Sequence, residues 1–162
     1  MADRRDNVIV LPNHGAGSNG RPPSTDALRA AAGQLEELGR CLQEISPHAN
    51  WSAQRWMIAS TPFRMRLIGA RRKLSDLAKL GSADEQSDIR WMFEVNDARL
   101  GAERRLHDID ACLQTLQDVN ASITDRIRET ETFAASRFEL LKVLDKIRHL
   151  LVQRCLTVRH GS

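Results

Sequence analysis

Residues 92–116 read MFEVNDARLGAERRLHDIDACLQTL. Within them Met92, Val95, Arg99, Ala102, Leu106, Ile109, Leu113 and Leu116 recur in alternating steps of three and four. That is the spacing of one face of an α-helix laid against another helix. The stretch therefore predicts a helix opening at Ser82, with Asp84 and Glu85 in its first turn where negative charge meets the positive end of the dipole. It should reach about Val119. Trp91 and Phe93 flank Met92 and cannot both face this seam. At least one of them points away, either into a second buried face or as an exposed anchor for a partner.

The same period extends to both sides. Upstream, Leu28, Ala31, Leu35, Leu38, Leu42 and Ile45 form a first seam, with Ser24, Thr25 or Asp26 as N-cap and Ser46-Pro47 as the stop. A second helical region spans about Ala49 to Leu80 and carries Phe63, Leu67, Ala70, Leu74 and Leu77. At Ser60-Thr61-Pro62 it either breaks, with Thr61 capping a new helix and Pro62 at its first position, or continues as a kinked helix. Gly81-Ser82 closes the region, with Gly81 suited to a helix C-terminus. Downstream, Phe133, Leu140, Leu141, Leu144, Ile147, Leu150 and Leu151 make a broad stripe suited to a bundle core, running to about Leu156.

The junction at Asn120 decides the architecture. Leu116, Asn120, Ile123, Ile127 and Thr130 keep the helical spacing, which allows one uninterrupted helix. Ser122 with Asp125 three residues on resembles a capping box with Asp in place of Glu, which starts a new one. An unbroken helix of about 75 residues would extend roughly 110 Å and could not cover its own apolar face. The break is favoured, because it lets the chain fold back on itself. The expectation is an all-α antiparallel bundle of three to four long helices with coiled-coil-like packing.

Three units follow: an N-terminal arm over 1–24, a helical bundle over 25–157 and a basic tail over 158–162. Pro12, Gly15, Gly17, Gly20, Pro22 and Pro23 mark the arm as disordered, since it buries too little to offset its ordering entropy. Val8-Ile9-Val10-Leu11 is an apolar island within it, either incidental or a short docking motif. The 162 residues are enough for one domain with a real core. A composition with 4% aromatics and no Tyr suits helix packing better than a β-sandwich. Apolar runs are only a few residues long, too short for a membrane span or a secretory signal. A cytoplasmic protein is expected.

No chemistry-bearing motif stands out. Gly15-Ala-Gly17-Ser-Asn-Gly20 matches GxGxxG in letters, but Pro22 and Pro23 follow it where the phosphate-binding motif needs a helix. His107 and Asp110 lack a second pair at metal-ligand spacing, and Cys41, Cys112 and Cys155 form no CxxC. The cysteines read as small buried apolar groups. No catalytic residue, metal or cofactor is expected.

Charge placement is the remaining signal. Residues 51–80 carry Arg55, Arg64, Arg66, Arg71, Arg72, Lys73 and Lys79 against Asp76 alone, with Trp51, Trp56 and Phe63 interleaved. The stretch 81–135 leans acidic. One reading pairs the basic region with the acidic helix inside the bundle, with the aromatics as core anchors. Another makes Arg64, Arg66, Arg71, Arg72 and Lys73 a nucleic-acid surface with Trp51 or Trp56 stacking on a base. The expected function is a non-enzymatic adaptor or regulator that binds another protein and self-associates, a dimer being favoured, without a membrane role. Its expected partner-binding residues are Trp51, Trp56, Trp91 and Phe93.

Overall fold

The computed structural model describes residues 25–78 and 86–161, with side-chain surroundings for 25–78 and 89–156. Four helices occupy them: α1 Thr25–Gln43, α2 Ala53–Ala78, α3 Gln86–Leu116 and α4 Ile123–Gly161. There is no strand among the described residues. The expected arm over 1–24, and the helix end at Gly81 and start at Ser82, lie outside them.

The helices form an all-α bundle in which α1 packs on α2 and α4, while α3 packs on α2 and α4. Neighbours run antiparallel. Thr25 of α1 meets Cys155 near the end of α4, and the carbonyl of Ile45, just past α1, accepts from Arg137. Glu37 of α1 pairs with Arg66 of α2, and Trp91 near the start of α3 reaches Leu150 of α4. The three seams and the broad stripe of α4 form one continuous core. Leu28, Leu35, Leu38, Leu42, Phe63, Leu74, Val95, Leu106, Ile109, Leu113, Leu140, Leu144 and Ile147 are all buried in it. Burying each such side chain contributes about 1.5–3 kcal/mol. α1 and α4 meet at Gly39, where an added Cβ would make an ordinary 3.4 Å contact with a Leu141 methyl.

Arg99 sits in the α3 seam without being expelled. Its side chain is 13% exposed, and its guanidinium bonds Glu103 at 3.0 Å and Asn96 at 2.7 Å on its own helix. The pairing keeps the charge satisfied while the aliphatic stem packs.

α2 starts at Ala53, later than Ala49, because Ser52 caps it. The Ser52 hydroxyl accepts from Arg55 N–H at 3.1 Å and its carbonyl from Trp56 N–H at 3.0 Å. The helix then runs unbroken through Pro62. Proline cannot donate to the Ile58 carbonyl. The carbonyl before it, of Met57, accepts from the hydroxyls of Thr61 (2.8 Å) and Ser60 (3.2 Å) and from the Arg64 guanidinium (3.3 Å).

The chain does break near Asn120. α3 ends at Leu116, and Ser122 caps α4 by accepting from Asp125 N–H at 3.0 Å. Only half of the capping box forms, because the Asp125 carboxylate pairs forward with Arg128 at 2.6 Å. Arg126 secures the reversal by donating to the carbonyls of Asp118 (2.7 Å), Trp51 (3.3 Å) and Leu116 (3.4 Å). α4 continues to Gly161, past the expected end at Leu156.

Candidate functional site

The four aromatic residues expected to bind a partner have separate fates. Trp56 is fully buried, packed edge-on against Phe133 and Trp51 with centroids 5.3 and 5.0 Å apart. It is a core anchor with no surface for a partner or a base. Trp51 is half-buried between His48 and Trp56, with the Arg55 guanidinium 5.1 Å from its ring. Trp91 is half-buried, donates its indole N–H to the Leu150 carbonyl at 2.8 Å, and lies under Arg154. Phe93 alone faces solvent, 72% exposed, so α3 does turn one aromatic away from its seam. Ile89 and Leu100 are the other large apolar residues exposed on α3 and share its outer face.

Sequence reading missed the larger feature, on α2. Ile58, Met65 and Ile68 are 65%, 75% and 71% exposed. Together with Thr61 and Arg72 they fall at 58, 61, 65, 68 and 72, the same alternating step of three and four that marks a buried seam. Trp56, Ser60, Phe63, Leu67, Ala70, Leu74 and Leu77 occupy the opposite side and are buried. α2 thus carries two seams, one covered by the bundle and one bare. The bare seam extends about 21 Å from Ile58 to Arg72 at 1.5 Å per residue. The signal was present in the sequence, but a helix apolar on both sides shows no single face, so the inner seam masked the outer one.

Basic residues line this bare seam. By helical position Arg64 and Arg71 fall along the edge toward α3, and Arg55, Arg66 and Lys73 along the edge toward α1. Arg66 is 3.6 Å from Glu37 of α1. Arg64 folds back onto the Met57 carbonyl and the Thr61 hydroxyl. Neither Arg71, Arg72 nor Lys73 forms an ion pair with a described carboxylate. The acidic start of α3, expected to pair with basic α2, lies outside the residues whose side-chain surroundings are described. Among the described residues the one ion pair made by α2 reaches α1.

Other candidate chemistry has a structural explanation. Cys41, Cys112 and Cys155 are free and buried. Burial pushes the Cys112 thiol up to about 12, reinforced by a hydrogen bond to Glu129, and burial likewise raises Cys41. Protonated thiols of this kind are poor nucleophiles. No cluster of metal-ligating side chains occurs among the described residues, and no described helix is long and apolar enough to cross a membrane. Comparison with protein-family models, curated proteins and solved structures gives no match for the chain, so its function must be argued from the bare face of α2 and the charges around it.

Proposed function

We propose that this chain is a non-enzymatic helical adaptor or regulator that works by protein–protein contact, with the outer face of α2 as its docking surface. The observation behind this reading is the bare seam of Ile58, Met65 and Ile68 at helix-packing spacing. Covering such side chains contributes about 1.5–3 kcal/mol each. The test compares affinity capture by wild-type chain and by an Ile68→Asp variant of equal melting temperature. A protein recovered by the first and lost with the second supports the reading. Equal recovery by both removes it.

Self-association as a dimer is assigned to the outer face of α3, around Ile89, Phe93 and Leu100. Its neighbouring charges, Arg90, Glu94, Asp97 and Arg104, carry both signs, so two copies can meet without uniform repulsion. Sedimentation equilibrium should show a dimer that Phe93→Asp dissociates. A wild-type monomer at micromolar concentrations refutes it. A reducing compartment, the cytoplasm, suits three unpaired thiols.

A nucleic-acid-binding reading rests on Arg71 and Arg72, both exposed and outside any ion pair with a described carboxylate. With Trp56 buried it loses one of its two stacking groups. It requires affinity that falls steeply with salt, by about 0.9 in log–log slope for each phosphate contacted. A mobility shift unchanged by Arg71→Glu and Arg72→Glu would eliminate it.

A further inference from the structure

We infer that the occupant of the outer α2 face is an acidic amphipathic helix; this rests on the docking reading above and adds the chemistry of the partner. Two independent features of the face select it.

The first is geometry. Positions 58, 61, 65, 68 and 72 repeat as a and d of a heptad along one unbroken helix. Such a ridge is complementary to the seam of another helix, whose side chains fall into the gaps between successive turns. The inner seam of the same helix is used in this way, with Phe63, Leu67, Ala70 and Leu74 enclosed by the bundle.

The second is charge. In the heptad set by these positions, Arg64 and Arg71 lie at g, and Arg55 and Lys73 at e and b along the other edge, with Arg66 at b paired to Glu37. Arg72 closes the seam itself at an a position. Asp76, at e, is the one acidic residue of α2 and lies one turn beyond the Arg72 end of the seam. A helix seated on the seam brings its own flanking side chains against these cations, so carboxylates there gain and lysines lose. The same arrangement argues against a second copy of α2 in this place, since an antiparallel copy sets Arg64 against Arg71 and an in-register parallel copy stacks Arg72 on Arg72. The dimer assigned to α3 is thus a separate contact from this one.

The experiment uses the full chain and three fluorescent three-heptad peptides with Leu at a and d and Glu, Gln or Lys at e and g. Anisotropy titration should show the Glu peptide binding at least tenfold tighter than the Gln peptide, and the Lys peptide weakest. Ile68→Asp, or Met65→Gln should the aspartate variant fold poorly, should reduce Glu-peptide binding at least tenfold. The double variant Arg64→Glu, Arg71→Glu should invert the peptide ranking. Equal binding of all three peptides, lost on Ile68→Asp, leaves the docking face standing and overturns its preference for acid. Glu-peptide binding unaffected by Ile68→Asp and by Met65→Gln places the site elsewhere and overturns the inference. No peptide binding at all overturns both the inference and the docking reading. Dissociation of a wild-type dimer by Ile68→Asp makes a second copy the occupant and refutes the acidic helix.

Discussion

Replacing Arg126 with Ala tests what holds the chain reversal between α3 and α4. The Arg126 guanidinium donates to Asp118 O at 2.7 Å, Trp51 O at 3.3 Å and Leu116 O at 3.4 Å. It therefore ties the last turn of α3, the loop after it and the residue preceding the Ser52 cap of α2 to the first turn of α4. A hydrogen bond to a charged donor contributes about 1.5–3 kcal/mol. The two longer contacts lie near the limit of a hydrogen bond, and water can replace the guanidinium at the exposed Asp118 carbonyl. The three together are thus worth about what one good charged bond is, and Arg126→Ala should lose about 1.5–3 kcal/mol. For a chain of this size that lowers Tm by about 3–12 °C. Arg126→Lys should recover less than half, because a single ammonium cannot reach three carbonyls spread as this fork is. Arg128→Ala is the control: its partners Asp125 and Glu129 form surface pairs, so the loss should stay within about 0.5 kcal/mol. Urea unfolding followed by circular dichroism at constant slope gives all four values. An Arg126→Ala chain as stable as the Arg128→Ala control would refute the clamp.

Three further outcomes are expected. Trp56→Ala should cost about 3–5 kcal/mol by opening a core cavity, whereas Trp56→Phe should cost far less, because the buried indole N–H has no hydrogen-bond partner to lose; paired thermal melts decide. For Cys112, the folded thiol titrates at about 12 and the unfolded one near 8.5, so between these values the unfolded state loses a proton that the folded state keeps. Stability should therefore be fully present below about pH 8.5 and fall as pH rises toward 12, less steeply in Cys112→Ala, and native Cys112 should resist iodoacetamide at pH 8; equal slopes in both chains would contradict the assignment. Gly33→Ala should stabilise the chain by about 0.5–1 kcal/mol, since a Cβ there meets no atom within 4 Å and glycine is a poor helix former; a lower denaturation midpoint would count against it.

The helical seams were legible before any coordinates because one apolar stripe on a helix repeats at a fixed step. Leu28 through Ile45, Phe63 through Leu77 and Val95 through Leu116 are buried as that step implies. The chain break near Asn120 was legible too, through the cap chemistry of Ser122, although Ile123 and Ile127 continued the helical spacing and proved exposed. Pro62 was ambiguous in sequence, because a proline costs a helix one backbone bond and packing decides whether the helix continues. Here Phe63, Leu67 and Ala70 are buried beyond it, and the helix runs through. The aromatic residues were the least legible. Trp56 and Phe93 look alike as anchors in a list of residues, yet one is enclosed and the other bare.

Composition and periodicity alone established an all-helical chain, the residues that share each inner face and a basic second helix. Which faces are covered emerged from the packed bundle. A repeat of three and four says that side chains lie on one side of a helix, but not whether another helix lies over them. On α2 two such sides exist, and the neighbours α1 and α3 cover one of them. The outer row of Ile58, Met65 and Ile68 became visible as a surface once the chain had folded around the other.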